Sequence, residues 1–182
     1  MGIPNLLTFL RIILIPVFIL LFYLPFRGSH VLAAFIFIFA AMTDWLDGYL
    51  ARSLGQVSKL GTFLDPVADK LIVVTALVLL VGDRVLPYLA IPAIVIICRE
   101  IMVSALREWM AEIGKRTRIA VTRIGKIKTT VQMLALILLL LYKPGAWFAL
   151  ALSGYLLLYL AALLTLWSMS LYLKAAWHDL SS

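Results

Sequence analysis

The stretch DWLDGYLARSLGQVSKLGTFLDPVAD, residues 44–69, decides how the rest of the chain is read. It holds Asp44, Asp47, Asp65 and Asp69, four of the nine acidic residues in the chain, within an otherwise strongly apolar sequence. On helices, Asp44 and Asp47 stand three apart and Asp65 and Asp69 four apart, so each pair shares a helical face. Ionised side chains inside apolar helices are costly, and their presence there points to function. Four carboxylates on two consecutive helices repel one another unless positive charge lies between them. A divalent cation supplies it.

Outward from this stretch, composition sets the class. Of 182 residues, 64% are hydrophobic and 14% charged, and the mean hydropathy is +1.08. An ordinary soluble domain is near half apolar and a quarter charged, so the chain reads as an integral membrane protein. The length fits one domain, residues 1–182. The net charge of +7 does not indicate nucleic acid as a partner, because the basic residues fall in short segments between apolar runs. One cysteine, Cys98, excludes a disulfide framework, and two histidines are too few for a zinc constellation. No basic region precedes the first apolar run, so no signal peptide is expected.

The expected fold class is all-α, a polytopic membrane protein with six transmembrane helices and a short N-terminal interfacial lead. About 20 apolar residues span a bilayer as a helix. By that measure helices are expected over residues 12–23, 30–54, 61–81, 85–112, 119–141 and 146–173, with a polar lead over 5–11 lying along the interface. Turns are expected at 82–84 and 143–145. Lys and Arg set the orientation. Arg11, Arg52, Lys59, the basic run over 107–128 and Lys174 would lie on one side, and Arg27, Arg84 and Lys143 on the other. The termini and the aspartates then face the cytoplasm, near the interface, where a water-soluble substrate can meet a lipid.

The donor set defines the chemistry. Carboxylates without nearby thiol or imidazole form a hard oxygen site suited to Mg²⁺ or Mn²⁺, and four can bridge two ions about 3.5–4 Å apart. Such sites complete their shell with substrate phosphates, which implies a phosphate or diphosphate substrate. Gly48 and Gly61 allow close approach to the backbone, Ala51 is small, and Arg52 can meet a phosphate or pair with an aspartate. Helix packing by small residues is the competing reading for Gly48, Ala51 and Gly61. For the aspartates it is charge held by Arg52, Lys59 or Lys70, which are too few to neutralise all four.

The order D-x2-D-G-x2-A-R-x8-G-x3-D-x3-D, complete over residues 44–69, is the signature of the CDP-alcohol phosphotransferase family, which this chain resembles. The resemblance implies metal ligation by Asp44, Asp47 and Asp65. Asp69 would be the general base that takes the acceptor's proton and would also touch a second metal. Gly48, Ala51, Arg52 and Gly61 would shape the pocket for the CDP-lipid. The resemblance also implies a homodimer in a bacterial cytoplasmic (inner) membrane.

Further stretches, among them 4–12, 99–100, 106–112, 114–116 and 125–129, resemble the branch of the family that joins sn-glycerol 3-phosphate to CDP-diacylglycerol. That branch gives phosphatidylglycerophosphate and CMP. Arg99 and Arg107, about two turns apart on one helix, with Lys126 and Lys128 at the start of the next, are suited to an acceptor phosphate. Thr8 and Arg11 are further candidates for it. Positive-inside topology and attraction to anionic membrane lipids are the competing explanation for these bases, and suffice for Lys115, Arg116, Arg118 and Arg123. Glu100 could instead pair with Arg99. Trp109, Trp147, Tyr172 and Trp177 read as an interfacial aromatic belt, Cys98 as packing, and the last helix as offering no chemistry. Other acceptors within the family, an intramembrane prenyltransferase and a divalent-cation transporter are the rival readings. CMP release would separate the family from the transporter.

Overall fold

The computed structural model describes residues 3–26, 28–54, 59–83, 86, 88–113, 123–142 and 148–180. Within these, the side chains of 3–5, 45, 47–54, 59, 60, 62, 123–126 and 175–180 lie outside the description. The described residues form six helices and no strand: α1 (Ile3–Tyr23), α2 (Ser29–Leu54), α3 (Lys59–Gly82), α4 (Ala90–Glu112), α5 (Arg123–Leu141) and α6 (Phe148–Leu180). Helices are what such apolar runs favour, since each satisfies its own backbone hydrogen bonds.

The helix ends follow local chemistry. Pro25 lies just past α1, where it cannot continue a helix. At the end of α3 the Asp83 N–H donates to the Leu79 carbonyl at 3.1 Å, closing the last turn beside Gly82. The fourth helix starts five residues later than the sequence suggests. Tyr88 adopts a φ of 63°, in the left-handed region, which breaks any helical path leading into Ala90. Its carbonyl is not orphaned, because the Tyr159 hydroxyl donates to it at 2.9 Å. Pro92 sits in the first turn of α4, where no N–H is required. The fifth helix is described from Arg123 onward; its expected start at 119 and the expected turn at 143–145 lie outside the described residues.

The interfacial lead expected over 5–11 does not form a separate segment. It is the first part of α1, and Thr8 and Arg11 within it are fully buried. Among the described residues, two helices are long and apolar enough to cross a membrane, over Leu6–Tyr23 and Phe148–Lys174. Ser29–Asp44 and Ile127–Leu141 are shorter apolar stretches. In α3 and α4 the charged residues Asp65, Asp69 and Lys70, and Arg99, Glu100 and Arg107, interrupt the apolar run. Large apolar side chains such as Ile13, Phe35, Phe63, Ile94, Ile101 and Leu163 are exposed. Apolar surface on that scale demands an apolar surrounding.

The chain divides into two compact units, residues 1–85 with 140–146, and 86–139 with 147–182. In the first, α1 packs against α2 and α3. Phe18 and Phe37 meet there with ring centroids 6.1 Å apart. Ala33, Ala34 and Ala40 of α2 and Ala68 and Ala76 of α3 are fully buried, the small residues that let helices approach closely. In the second, α4 packs on α6. Ile96, Val103 and Met110 form the buried stripe of α4, with Leu158 and Ala161 buried on α6.

Gly154 marks a close approach in the second unit. A Cβ there would come within 2.8 Å of the Leu139 Cγ and 3.4 Å of the Leu138 Cβ. Alanine gains about 1 kcal/mol of helix propensity over glycine, against about 1–3 kcal/mol for overpacking a core. Gly154→Ala is therefore expected to be neutral or mildly destabilising, and Gly154→Val clearly destabilising, by thermal unfolding in detergent.

Candidate active site

The first unit gathers three of the four aspartates around α1. Asp44 lies in the second half of α2, and Asp65 and Asp69 lie one turn apart on α3. Thr8 and Arg11, three apart on α1, face them. The Thr8 hydroxyl donates to Asp65 Oδ1 at 2.5 Å. One guanidinium nitrogen, Arg11 Nη1, donates to Asp69 Oδ1 and lies 3.2 Å from Asp44 Oδ1. A single cation thus ties α1 to both acidic helices.

Burial is unequal across this cluster. The Arg11 side chain is 0% accessible, whereas those of Asp44 and Asp69 remain 47% and 42% accessible. The guanidinium sits behind the carboxylates and offsets part of their charge, while their outer faces stay open. The carboxylates are hard oxygen donors of the kind a divalent cation takes, although among the described residues no three of them come together as a group that could hold one. The side chains of Asp47, Gly48, Ala51 and Arg52 lie outside the described residues, although all four fall on α2. Gly61 is buried near the start of α3, on the face that carries Asp65 one turn later.

The second unit holds the basic residues. Arg99 of α4 is 7% exposed and Lys128 of α5 is 4% exposed, both unusual for such side chains. Glu100 takes both: Arg99 Nη1 donates to Glu100 Oε1 at 3.0 Å, and Lys128 Nζ donates to the same oxygen. The pairing of Glu100 with Arg99, weighed in the sequence as an alternative, is therefore present. Arg99 Nη2 also donates to Ser168 Oγ of α6 at 2.7 Å. Arg107, exposed, donates from Nη2 to the Tyr172 hydroxyl at 3.0 Å. Both guanidinium carbons lie over the Tyr172 ring, 5.6 Å and 5.4 Å from its centroid. The side chain of Lys126 lies outside the described residues.

Two positive groups, Arg99 and Lys128, thus share one carboxylate, with Arg107 close by on Tyr172. Removing that carboxylate would leave Arg99 and Lys128 buried without it. Breaking a buried ion pair from one side typically costs about 3–5 kcal/mol. Glu100→Gln is expected to lower thermal stability by roughly that amount, and Glu100→Asp by less, in unfolding of the purified protein.

Several expectations are revised here. Thr8 and Arg11 were grouped with the acceptor phosphate, but they bond the aspartates; Arg99, Arg107 and Lys128 form their own cluster in the other unit. Tyr172 is not a belt residue. It is 5% exposed and lies beneath two guanidinium groups. The last helix does offer chemistry, through Ser168 and Tyr172. The signal was the spacing of Thr165, Ser168 and Tyr172, which places three polar groups on one face of an apolar helix, and all three are buried. Trp109 is half-buried and lines, with Met102, Val103, Leu106, Met169 and Tyr172, a cavity of about 440 Å³ in the same unit. Cys98 is exposed rather than packed.

An aspartate cluster on paired helices with the spacing described above defines a class. The family model for CDP-alcohol phosphatidyltransferase matches residues 1–167, and the chain belongs to that family. Among its relatives is a protein of Pseudomonas fluorescens named CDP-diacylglycerol–glycerol-3-phosphate 3-phosphatidyltransferase, 57% identical over 189 residues, covering 100% of this chain and 93% of the relative. Proteins of the same name from Pectobacterium atrosepticum and Yersinia enterocolitica are 54% and 52% identical, covering 98% and 99% of this chain and 97% of each relative.

Proposed function

We propose that the chain transfers the phosphatidyl group of CDP-diacylglycerol to sn-glycerol 3-phosphate, giving phosphatidylglycerophosphate and CMP. The observation that carries this reading is the gathering of Asp44, Asp65 and Asp69 around Thr8 and Arg11, on the helices that bear the family motif. Relatives more than half identical over nearly their whole length bear the name of this reaction.

In the reaction the acceptor hydroxyl attacks the phosphorus on the lipid side of the diphosphate. The bond from that phosphorus to the bridging oxygen breaks, and CMP leaves with the electron pair. Asp69 takes the hydroxyl proton as general base in this reading. Asp44, Asp47, Asp65 and Asp69 would hold Mg²⁺ or Mn²⁺, two ions by the carboxylate count, which when bound offset charge on the diphosphate. Thr8 and Arg11 hold the carboxylates in register. Gly48, Ala51, Arg52 and Gly61 shape the side of the pocket that takes the CDP group. Arg99, Arg107, Lys126 and Lys128 take the acceptor phosphate, for which paired guanidinium groups are the natural partners.

The surrounding is a bacterial cytoplasmic membrane crossed six times, with the aspartates toward the cytoplasm, as the distribution of Lys and Arg argues. The exposed apolar residues on every helix fit this reading. A homodimer follows from the resemblance to the family.

The test uses purified protein in detergent with CDP-diacylglycerol and Mg²⁺, measuring CMP release with glycerol 3-phosphate, glycerol, serine, inositol phosphate or phosphatidylglycerol as acceptor. Release with glycerol 3-phosphate alone is expected. Release with another acceptor would keep the family and displace the acceptor assignment. Chelation of divalent cations is expected to abolish release, and added Mg²⁺ or Mn²⁺ to restore it; activity that persists through chelation would remove the metal from the reading.

A further inference from the structure

We propose that Ser168 and Tyr172 of α6 are positioning residues for the acceptor phosphate, setting the two guanidinium groups that determine its binding. The inference rests on the assignment of Arg99, Arg107 and Lys128 to that phosphate. Within this unit each guanidinium is held from α6: Arg99 by the Ser168 hydroxyl at 2.7 Å, and Arg107 by the Tyr172 hydroxyl at 3.0 Å. The Tyr172 ring lies under both, within 5.6 Å of each guanidinium carbon.

A tyrosine face attracts cations, and the attraction strengthens where water is excluded. Here the ring is 5% exposed, so it serves as a floor on which two like charges can rest near one another. Ser168 has a further role in this arrangement. Its hydroxyl accepts from Arg99 and donates to the Thr165 carbonyl at 3.0 Å, so its orientation is fixed by the helix itself. Arg99 is thereby pinned on one side by α6 and on the other by Glu100, with Nε buried and lacking a hydrogen-bond partner among the described residues. An arginine held this rigidly loses little freedom when it meets an anion, which favours affinity over turnover. Among the described residues Arg107 is anchored through Tyr172 while its side chain stays exposed, which favours contact of its other donors with a ligand arriving from solvent.

The substrate class follows from the charges. Arg99 and Lys128 on one carboxylate, with Arg107 beside them on Tyr172, leave an excess of positive charge that suits a doubly charged phosphomonoester better than the singly charged phosphodiester of an ordinary phospholipid headgroup.

The experiment compares steady-state kinetics of the full chain in detergent micelles for Tyr172→Phe, Ser168→Ala and Arg99→Gln, varying glycerol 3-phosphate and CDP-diacylglycerol separately, with a thermal unfolding curve for each. Tyr172→Phe keeps the ring and removes only the hydroxyl, so it is the variant least exposed to misfolding. For Tyr172→Phe and Ser168→Ala the KM for glycerol 3-phosphate is expected to rise about five- to tenfold, the scale of one hydrogen bond to a charged group. Both kcat and the KM for CDP-diacylglycerol are expected to stay within about twofold, as for loss of uniform binding. Unchanged KM in both α6 variants, with a raised KM in Arg99→Gln, overturns the positioning role and leaves the phosphate assignment standing. Unchanged KM in Arg99→Gln as well overturns the assignment and the inference together. Parallel loss of both KM values, with a lowered unfolding temperature, assigns the α6 residues to packing and overturns the inference.

Discussion

Asp69→Asn is expected to slow CMP release by about 10²–10⁴-fold, the range for loss of a positioned general base. The substitution keeps shape and removes the charge. Arg11 is not stranded by it, because Asp44 Oδ1 still lies 3.2 Å from the same guanidinium nitrogen. The variant should therefore fold, and its affinity for CDP-diacylglycerol should change far less than its rate. The measurement is CMP release under saturating acceptor, with lipid-substrate binding measured alongside. A rate within tenfold of the parent would place the base on another residue. Asp65→Asn offers a contrast, since Asp65 is bonded to a neutral hydroxyl rather than to the guanidinium.

Arg11→Leu is expected to have the second large effect, on stability as much as on rate. The side chain is completely buried and serves two carboxylates from two helices. Its removal leaves Asp44 and Asp69 facing each other without the cation behind them, a change on the scale of about 3–5 kcal/mol for a broken buried pair. Because the outer faces of those carboxylates are open, an added divalent cation can replace part of the lost charge. The fall in unfolding temperature should be largest with chelator and smaller with millimolar Mg²⁺, through the preferential binding of the ion to the folded state. Arg11→Lys keeps the charge without the planar guanidinium and should fall between. A variant as stable as the parent in chelator would show that the pairs contribute nothing measurable.

Much of this was legible in the sequence, for identifiable reasons. The aspartates stood out because a charged residue in an apolar helix is rare, and their spacing along α2 and α3 carried a specific family pattern. The order of six helices followed from apolar length alone. What could not be read were contacts between residues distant in sequence. Nothing local to Thr8 and Arg11 reveals that Asp65 and Asp69 lie against them; a threonine and an arginine at the head of an apolar helix look like a cap and a membrane-facing charge. Tyr172 was obscured by the same ambiguity, since an aromatic near a helix end is equally expected at a membrane interface or under a cation. The start of α4 differs from the expectation because apolar composition runs on through residues 85–89, whereas the backbone at Tyr88 is left-handed.

The bond between Arg11 and the acidic helices also bears on how the chain is assembled. During synthesis α1 emerges first, so the guanidinium and the Thr8 hydroxyl are already laid down when Asp44, Asp65 and Asp69 arrive. Each of those carboxylates would otherwise enter an apolar surrounding with an insertion penalty of a few kcal/mol. A circular permutant that delivers α1 last would meet the acidic helices unpartnered, and its cost should appear as a lower yield of folded protein rather than a lower rate per folded molecule.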